Sequence, residues 1–206
     1  MTIVFSVGHS SHDFVTFQRL LDQAEIGVVI DVRSNPISRL PCYNRTGLKK
    51  RLNAAGVGYV FLGLELGGRP RTGGVPDYEK MAASPLFAEG IAHVEQIAAR
   101  TRPALMCSEH EPLICHRCLL VGRRLVERGV VSVSHILRTG AIEPSQITEE
   151  RLLALTRQTE ADLYAPRSER LARAYRAQGL RIAKAAPPRG GGRRPQVGSP
   201  NLKDET

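Results

Sequence analysis

No window of the chain approaches about 18 uninterrupted apolar residues, so no segment reads as a transmembrane helix, and no membrane is expected as a partner. The opening Met1-Thr2-Ile3-Val4-Phe5-Ser6-Val7-Gly8-His9 lacks a basic leading region and a cleavage site, which speaks against a secretory signal. Cysteine is sparse, at four residues (Cys42, Cys107, Cys115, Cys118). Without an export signal these are expected as reduced thiols in a cytoplasm rather than as a disulfide frame. No repeat with a period of about 20–50 residues is present, which excludes solenoids and propellers. What remains is ordinary: 206 residues, 42% hydrophobic and 24% charged, the profile of one globular domain with an appendage.

Acidic residues are scarce at one end only. Residues 167–206 carry ten basic and three acidic side chains, so +7 of the net +9 lies there. Residues 1–166 are nearly neutral, with nineteen basic and seventeen acidic side chains. A basic arm of this kind suits a polyanion through counterion release, and equally suits a solvated tail that keeps the protein soluble.

Along the first 137 residues, short apolar runs alternate with amphipathic stretches. Ile3–Val7, Val28–Val32, Tyr59–Leu62, Ala104–Cys107 and Val131–Ile136 read as strands. Between them Phe14, Phe17, Leu20 and Leu21, then Leu48 and Leu52 before Gly56, then Phe87, Ile91, Val94 and Ile97 recur at helical spacing. Leu113–Arg128 reads as a further helix, and Thr148–Gln158 and Ser168–Ala177 as two more, with Thr148 and Ser168 as N-caps. The alternation predicts an α/β fold: a doubly wound, mostly parallel sheet of about five strands with C-terminal helices. The predicted organisation is a sheet domain over 1–140, a helical extension over 141–186 and a basic disordered tail over 187–206, where proline, glycine and arginine leave little to bury.

Ligands of such sheets bind outside the carboxyl ends of the strands. Polar residues fall at those ends: Gly8-His9-Ser10, Asp31-Val32-Arg33 and Cys107-Ser108-Glu109. The densest cluster, Cys107 to Cys118, runs from a strand end into a helix start, where free N–H groups favour an anion or a thiolate. A tyrosine-phosphatase loop needs arginine six positions after cysteine; Leu113 and Val121 stand there instead. Three readings stay open. One is a thioredoxin-type pair, Cys115-x-x-Cys118, and another is a metal site on Cys107, Cys115, His116 and Cys118. The third takes Glu109 as acid or base, with His116 and Arg117 as donors to an oxyanion or phosphate. Against these stand plainer roles: Cys107, Cys42 and Cys118 as core residues, Arg33 paired with Asp31, and His116 and Arg117 bridged to Glu109 or Glu111. Gly67-Gly68-Arg69-Pro70-Arg71 reads as a turn with positive side chains.

Gly8-His9-Ser10, Asp31-Val32-Arg33-Ser34-x-Pro36-x-Ser38-Arg39, Leu66-Gly67-Gly68, Cys107-x-Glu109 and Cys115-His116-Arg117 resemble, in this order, one family: the domain-of-unknown-function 488 group of bacteria and archaea. Asn44 and Tyr78 fall where that group tends to carry asparagine and an aromatic residue. The resemblance covers about residues 3–137 and implies a Rossmann-like domain of unassigned activity. Cys118 departs from the small residue usual after Cys-His-Arg.

The function expected is an enzyme acting on a nucleotide or nucleic acid. His9, Asp31, Glu109, Cys115 and His116 are its candidate catalytic residues. Gly8, Ser10, Arg33, Arg39, Asn44, Gly67, Gly68, Arg69 and Arg117 are candidates for ligand and phosphate binding. A non-catalytic nucleotide or nucleic-acid sensor would use the same cleft, and a thiol or metal protein would use the cysteine cluster. The motifs name no cofactor.

Overall fold

The computed structural model describes residues 2–70, 73–159 and 165–185. The tail expected over 187–206 lies outside them. The described chain builds one six-stranded sheet: β1 (Thr2–Gly8), β2 (Val28–Asp31), β3 (Gly58–Phe61), β4 (Pro103–Cys107), β5 (Val131–Ile136) and β6 (Ile142–Pro144). Its order is β3-β2-β4-β1-β5-β6, with every pairing parallel except the antiparallel β5–β6. All five expected strands are present. The short sixth was not expected, because three residues carry no periodicity to read.

The connections explain why both faces are covered. From β1 the chain steps one way across the sheet, to β2 and then β3, through α1 (Phe14–Gln23) and α2 (Arg45–Ala54). It then steps back to β4 and on to β5, through α3 (Tyr78–Ala82), α4 (Pro85–Ala98) and α5 (Arg123–Arg128). A fixed crossover hand puts helices met in opposite directions on opposite faces. Accordingly Phe17, Leu21, Leu48 and Leu52 pack with Val29 and Met106 on one side. Phe87, Ile91, Leu120 and Leu125 pack with Ile30 and Leu105 on the other. Strands buried on both faces must be continuously apolar, which is the pattern of Val28–Asp31 and Pro103–Cys107.

Local signals set the helix ends. Asp13 caps α1 by accepting the Thr16 N–H at 2.7 Å, and Ser84 caps α4 ahead of Pro85. Gly129, at φ +68°, ends α5 in the left-handed conformation.

Three expectations are corrected. Leu113–Arg128 is not one helix. It is a 3₁₀ turn at Pro112–Ile114, an extended Cys115, a π-helical turn at Arg117–Gly122, and then α5. The Arg123 N–H reaches back five residues to the Cys118 carbonyl, and apolar spacing alone does not distinguish this wide turn from an α-helix. Thr148 does not cap α6 (Ser145–Leu155); it is buried inside it and donates to Glu143 at 2.7 Å. Ser168 likewise lies within α7 (Arg167–Ala185), which runs past Ala177.

The C-terminal helices are packed onto the sheet layer. Leu152, Leu153, Ala174 and Tyr175 share a core with Leu113, Cys118 and Leu119, and Gln178 Nε2 donates to the Leu113 carbonyl at 2.6 Å. The arm's charge is also partly neutralised, since Arg167 pairs with Glu149 and Glu150, and Arg173 with Glu169. Among the described residues no helix is long and apolar enough to cross a membrane.

Gly8 marks the tightest approach in the sheet's carboxyl edge. A Cβ there would stand 1.8 Å from the Glu109 carbonyl oxygen and 2.8 Å from the His110 Cα, both main chain. Gly8→Ala is therefore expected to cost about 3 kcal/mol or more in denaturant unfolding. An alanine chain as stable as the parent would show that these segments do not meet.

Candidate functional site

β4 ends at Cys107, and the chain returns through residues 108–114 to Cys115 and His116 at the mouth of the π-helical turn. This return brings three donor atoms together. His116 Nδ1 lies 3.7 Å from Cys107 Sγ and 3.9 Å from Cys115 Sγ, and the three residues are buried. His116 Nε2 lies 2.9 Å from the Val32 carbonyl oxygen, so it carries the proton and donates it. The Nδ1 lone pair is thereby aimed at the two sulfurs. Gly68 backs the ring: a Cβ there would stand 2.4 Å from His116 Cγ, so only glycine lets the 66–68 turn approach.

Arg117 holds the returning loop in place. Its side chain is 0% exposed; it donates to the Glu109 and His110 carbonyls, the latter at 2.9 Å, and through Nε to Ser6 Oγ at 3.3 Å. Ser6 Oγ in turn is hydrogen-bonded with His135 Nδ1 at 2.7 Å. The expected Arg117–Glu109 salt bridge is not formed; Arg117 binds the glutamate's backbone carbonyl instead. Burial works against ionisation of Cys115, yet the Cys107 S–H and the Arg117 guanidinium outweigh it and hold this thiol well below its usual range. Cys107, as donor in that S–H···S contact and itself buried, is pushed well above its own. Cys118 stands apart, packed with Leu113 and Leu119, and burial pushes its thiol up to about 12. It belongs to the core and lies outside the three-donor group of Cys107, Cys115 and His116.

A second layer stands beside this one. Asp31 accepts Arg33 Nε at 2.8 Å and NH2 at 2.7 Å, the backbone N–H of Arg33 at 3.1 Å, and the Tyr59 hydroxyl at 2.8 Å. Arg33 NH1 approaches His9 Nε2 at 3.5 Å, and His9 stacks on Tyr43 with centroids 4.1 Å apart. Burial, with the Arg33 charge behind it, lowers His9 to about 4. Arg33 faces the cavity; His9 and Asp31 sit behind it and orient it.

The cavity measures about 1320 Å³. Its floor is Cys107, Cys115 and His116, with Arg33, Ser108 and Glu109 beside them, and α6 and α7 give the facing wall. Arg151 on that wall is paired with Glu111 and Glu143. Arg69 and Arg181 also line the cavity, and among the described residues neither has an acidic partner. Exposed Ile37, Ile114 and Leu155 make part of the lining apolar.

The other expected residues serve the frame. Ser10, at φ +47°, donates its N–H to the Ser108 carbonyl at 2.8 Å, and Gly8 admits the Glu109 carbonyl. Gly67 has no room for a Cβ, which would meet Gly63 and Ser34 oxygens within 2.5 Å. Asn44 accepts the Ser38 N–H at 2.8 Å. Arg39 is exposed and does not line the cavity. Arg181 and Gln178 went unread in the sequence. With Ile182 and Ala185 they occupy one face of α7 at i, i+3, i+4 and i+7, a spacing that was available.

The family model described as "Domain of unknown function DUF488" matches residues 13–123. No curated protein and no solved structure matches the chain.

Two outcomes test this site's frame. Removing the Arg117 side chain leaves buried carbonyls and Ser6 without a donor, so Arg117→Ala should cost about 3 kcal/mol or more in unfolding free energy. A surface arginine would cost about 0–1 kcal/mol. His135, lowered to about 3 chiefly by burial and then by Arg117, and His9, at about 4, both stay neutral in the fold. Below pH 6.5 the unfolded chain therefore binds protons that the folded chain refuses. Stability should fall as pH drops from about 6.5 towards 3, each histidine adding a slope approaching about 1.4 kcal/mol per pH unit. His135→Asn should remove one such share between pH 5 and 6, measured by denaturant titration.

Proposed function

We infer the function of this chain, which belongs to the family described as Domain of unknown function DUF488, from the cavity at its strand ends: it is an enzyme that acts on a phosphate-bearing nucleotide held over the Cys107–Cys115–His116 floor. The observation that carries the reading is the pair Arg69 and Arg181. The other arginines beside the floor are engaged, Arg33 by Asp31, Arg117 by carbonyls and Arg151 by two glutamates. Two cations without acidic partners among the described residues, on one cavity, form a receptor for an anion. The apolar lining from Ile114 and Leu155 suits the body of a ligand rather than a bare ion.

In this reading the phosphate anchors at Arg69 and Arg181, and the bond to be broken lies over the floor. Glu109, whose carboxylate is exposed on the cavity wall, transfers the proton. Arg33 is held by Asp31, which Tyr59 fixes in turn, and lies against His9, so it enters the cavity as a fixed charge rather than a mobile one.

A thermal-shift panel of nucleotides, matching nucleosides and inorganic phosphate tests this, with product analysis of every hit. Nucleotides should raise the melting temperature and nucleosides should not. Arg181→Ala and Arg69→Ala should each weaken a hit about tenfold to a hundredfold, the loss of a charge-assisted hydrogen bond, with folding unchanged. Glu109→Gln should bind as the parent does and turn over far more slowly. A panel that leaves the melting temperature unmoved overturns the reading. Binding without any product would make the chain a nucleotide sensor.

A further inference from the structure

We propose that Cys107, Cys115 and His116 bind one zinc ion whose fourth coordination position opens into the cavity. The three donor atoms lie within 4.8 Å of one another. A tetrahedral centre with Zn–S of about 2.3 Å and Zn–N of about 2.1 Å has an S···N edge of about 3.6 Å. The two S···N distances here, 3.7 and 3.9 Å, are already close to that edge.

The ring orientation is the second argument. A metal-bound histidine characteristically donates its other N–H to a carbonyl or carboxylate, which fixes both tautomer and direction. His116 does this through Nε2 to the Val32 carbonyl at 2.9 Å, and Gly68 backs the ring so that it keeps its place. Nδ1 is left with a lone pair and two sulfurs in front of it.

The donor set selects the ion. Two thiolates and an imidazole suit zinc and disfavour magnesium or calcium, which need oxygen ligands. The ion's two positive charges also balance two buried thiolates, a pair that would be costly to hold alone.

The shape of the cluster decides the kind of site. Structural zinc is closed by four protein ligands, whereas catalytic zinc keeps three and an open position. Among the described residues the group contains no fourth histidine, cysteine or carboxylate, Cys118 being packed in the core. All three donors line the cavity, so water or a substrate oxygen completes the tetrahedron there. That the ion acts on substrate rests on the proposed function; that it binds does not.

The test uses the full chain without an added histidine tag, loaded with zinc, dialysed and measured by elemental analysis. About one zinc per chain is expected. Cys107→Ser, Cys115→Ser and His116→Gln should each lower affinity more than about 100-fold in chelator competition, while Cys118→Ala retains the ion. Should a variant fail to fold, cobalt loading of the unaltered chain decides, since Cys107 and Cys115 thiolates must give a sulfur-to-cobalt charge-transfer band. A zinc-treated chain with no bound ion and two freely reacting thiols overturns the site. So does Cys118→Ala releasing the metal as Cys115→Ser does. Zinc bound with no nucleotide stabilisation leaves the metal site standing and sinks the nucleotide reading; nucleotide stabilisation of a chain that holds no zinc does the reverse.

Discussion

A guanidinium with no access to solvent, Arg117, joins three pieces of the chain that the sheet alone would leave apart. It grips the carbonyls of Glu109 and His110 on the loop leaving β4, and the hydroxyl of Ser6 in the middle of β1. Through its own backbone it starts the π-helical turn. Burying a cation is expensive, and the carbonyls and hydroxyl around it offset that expense by replacing water. Because the loop is held by its backbone, Cys107 and Cys115 meet although eight positions separate them in sequence. The same charge favours the ionised form of Cys115 and adds to the burial that keeps His135 neutral.

The layer behind Arg33 obeys the same economy of partners. Asp31 would be a buried anion and Arg33 a buried cation; the fork of two hydrogen bonds, one to each carboxylate oxygen, with Tyr59 also donating to Oδ2, satisfies both. His9 stays uncharged and fills the gap between Arg33 and Tyr43, so that this layer presents the cavity with a single guanidinium, Arg33. Pairing Arg33 with Asp31 was the plainer of the two roles its spacing allowed, and it is the one the geometry adopts.

How much of this could be read without a structure follows from what each signal encodes. The parallel strands were legible because burial on both faces writes uninterrupted apolar runs, and the strand-end motifs because polar residues there interrupt them. The break at Cys115 and the π-helical turn were not, since a widened turn keeps the same apolar residues inward. Arg117 read as a phosphate ligand because an arginine at a helix start is ordinarily wet; its full burial against Ser6 and the Glu109 and His110 carbonyls, contacts no local pattern encodes, makes it dry. Cys107 and Cys118 both read as core residues, or together as members of one metal cluster. Their roles differ because the π-helical turn faces Cys118 towards Leu152 and Tyr175 while Cys107 stays on the cavity floor.

The two walls of the cavity come from different stretches of chain. Residues 13–123, which the family model spans, contain Arg33, Gly68, Cys107, Cys115 and His116. Arg151, Leu155, Gln178 and Arg181 lie beyond that span, on α6 and α7. Floor and ceiling are thus separable inheritances. A change of C-terminal helices would reshape what the cavity admits while leaving the buried cysteine–histidine cluster untouched.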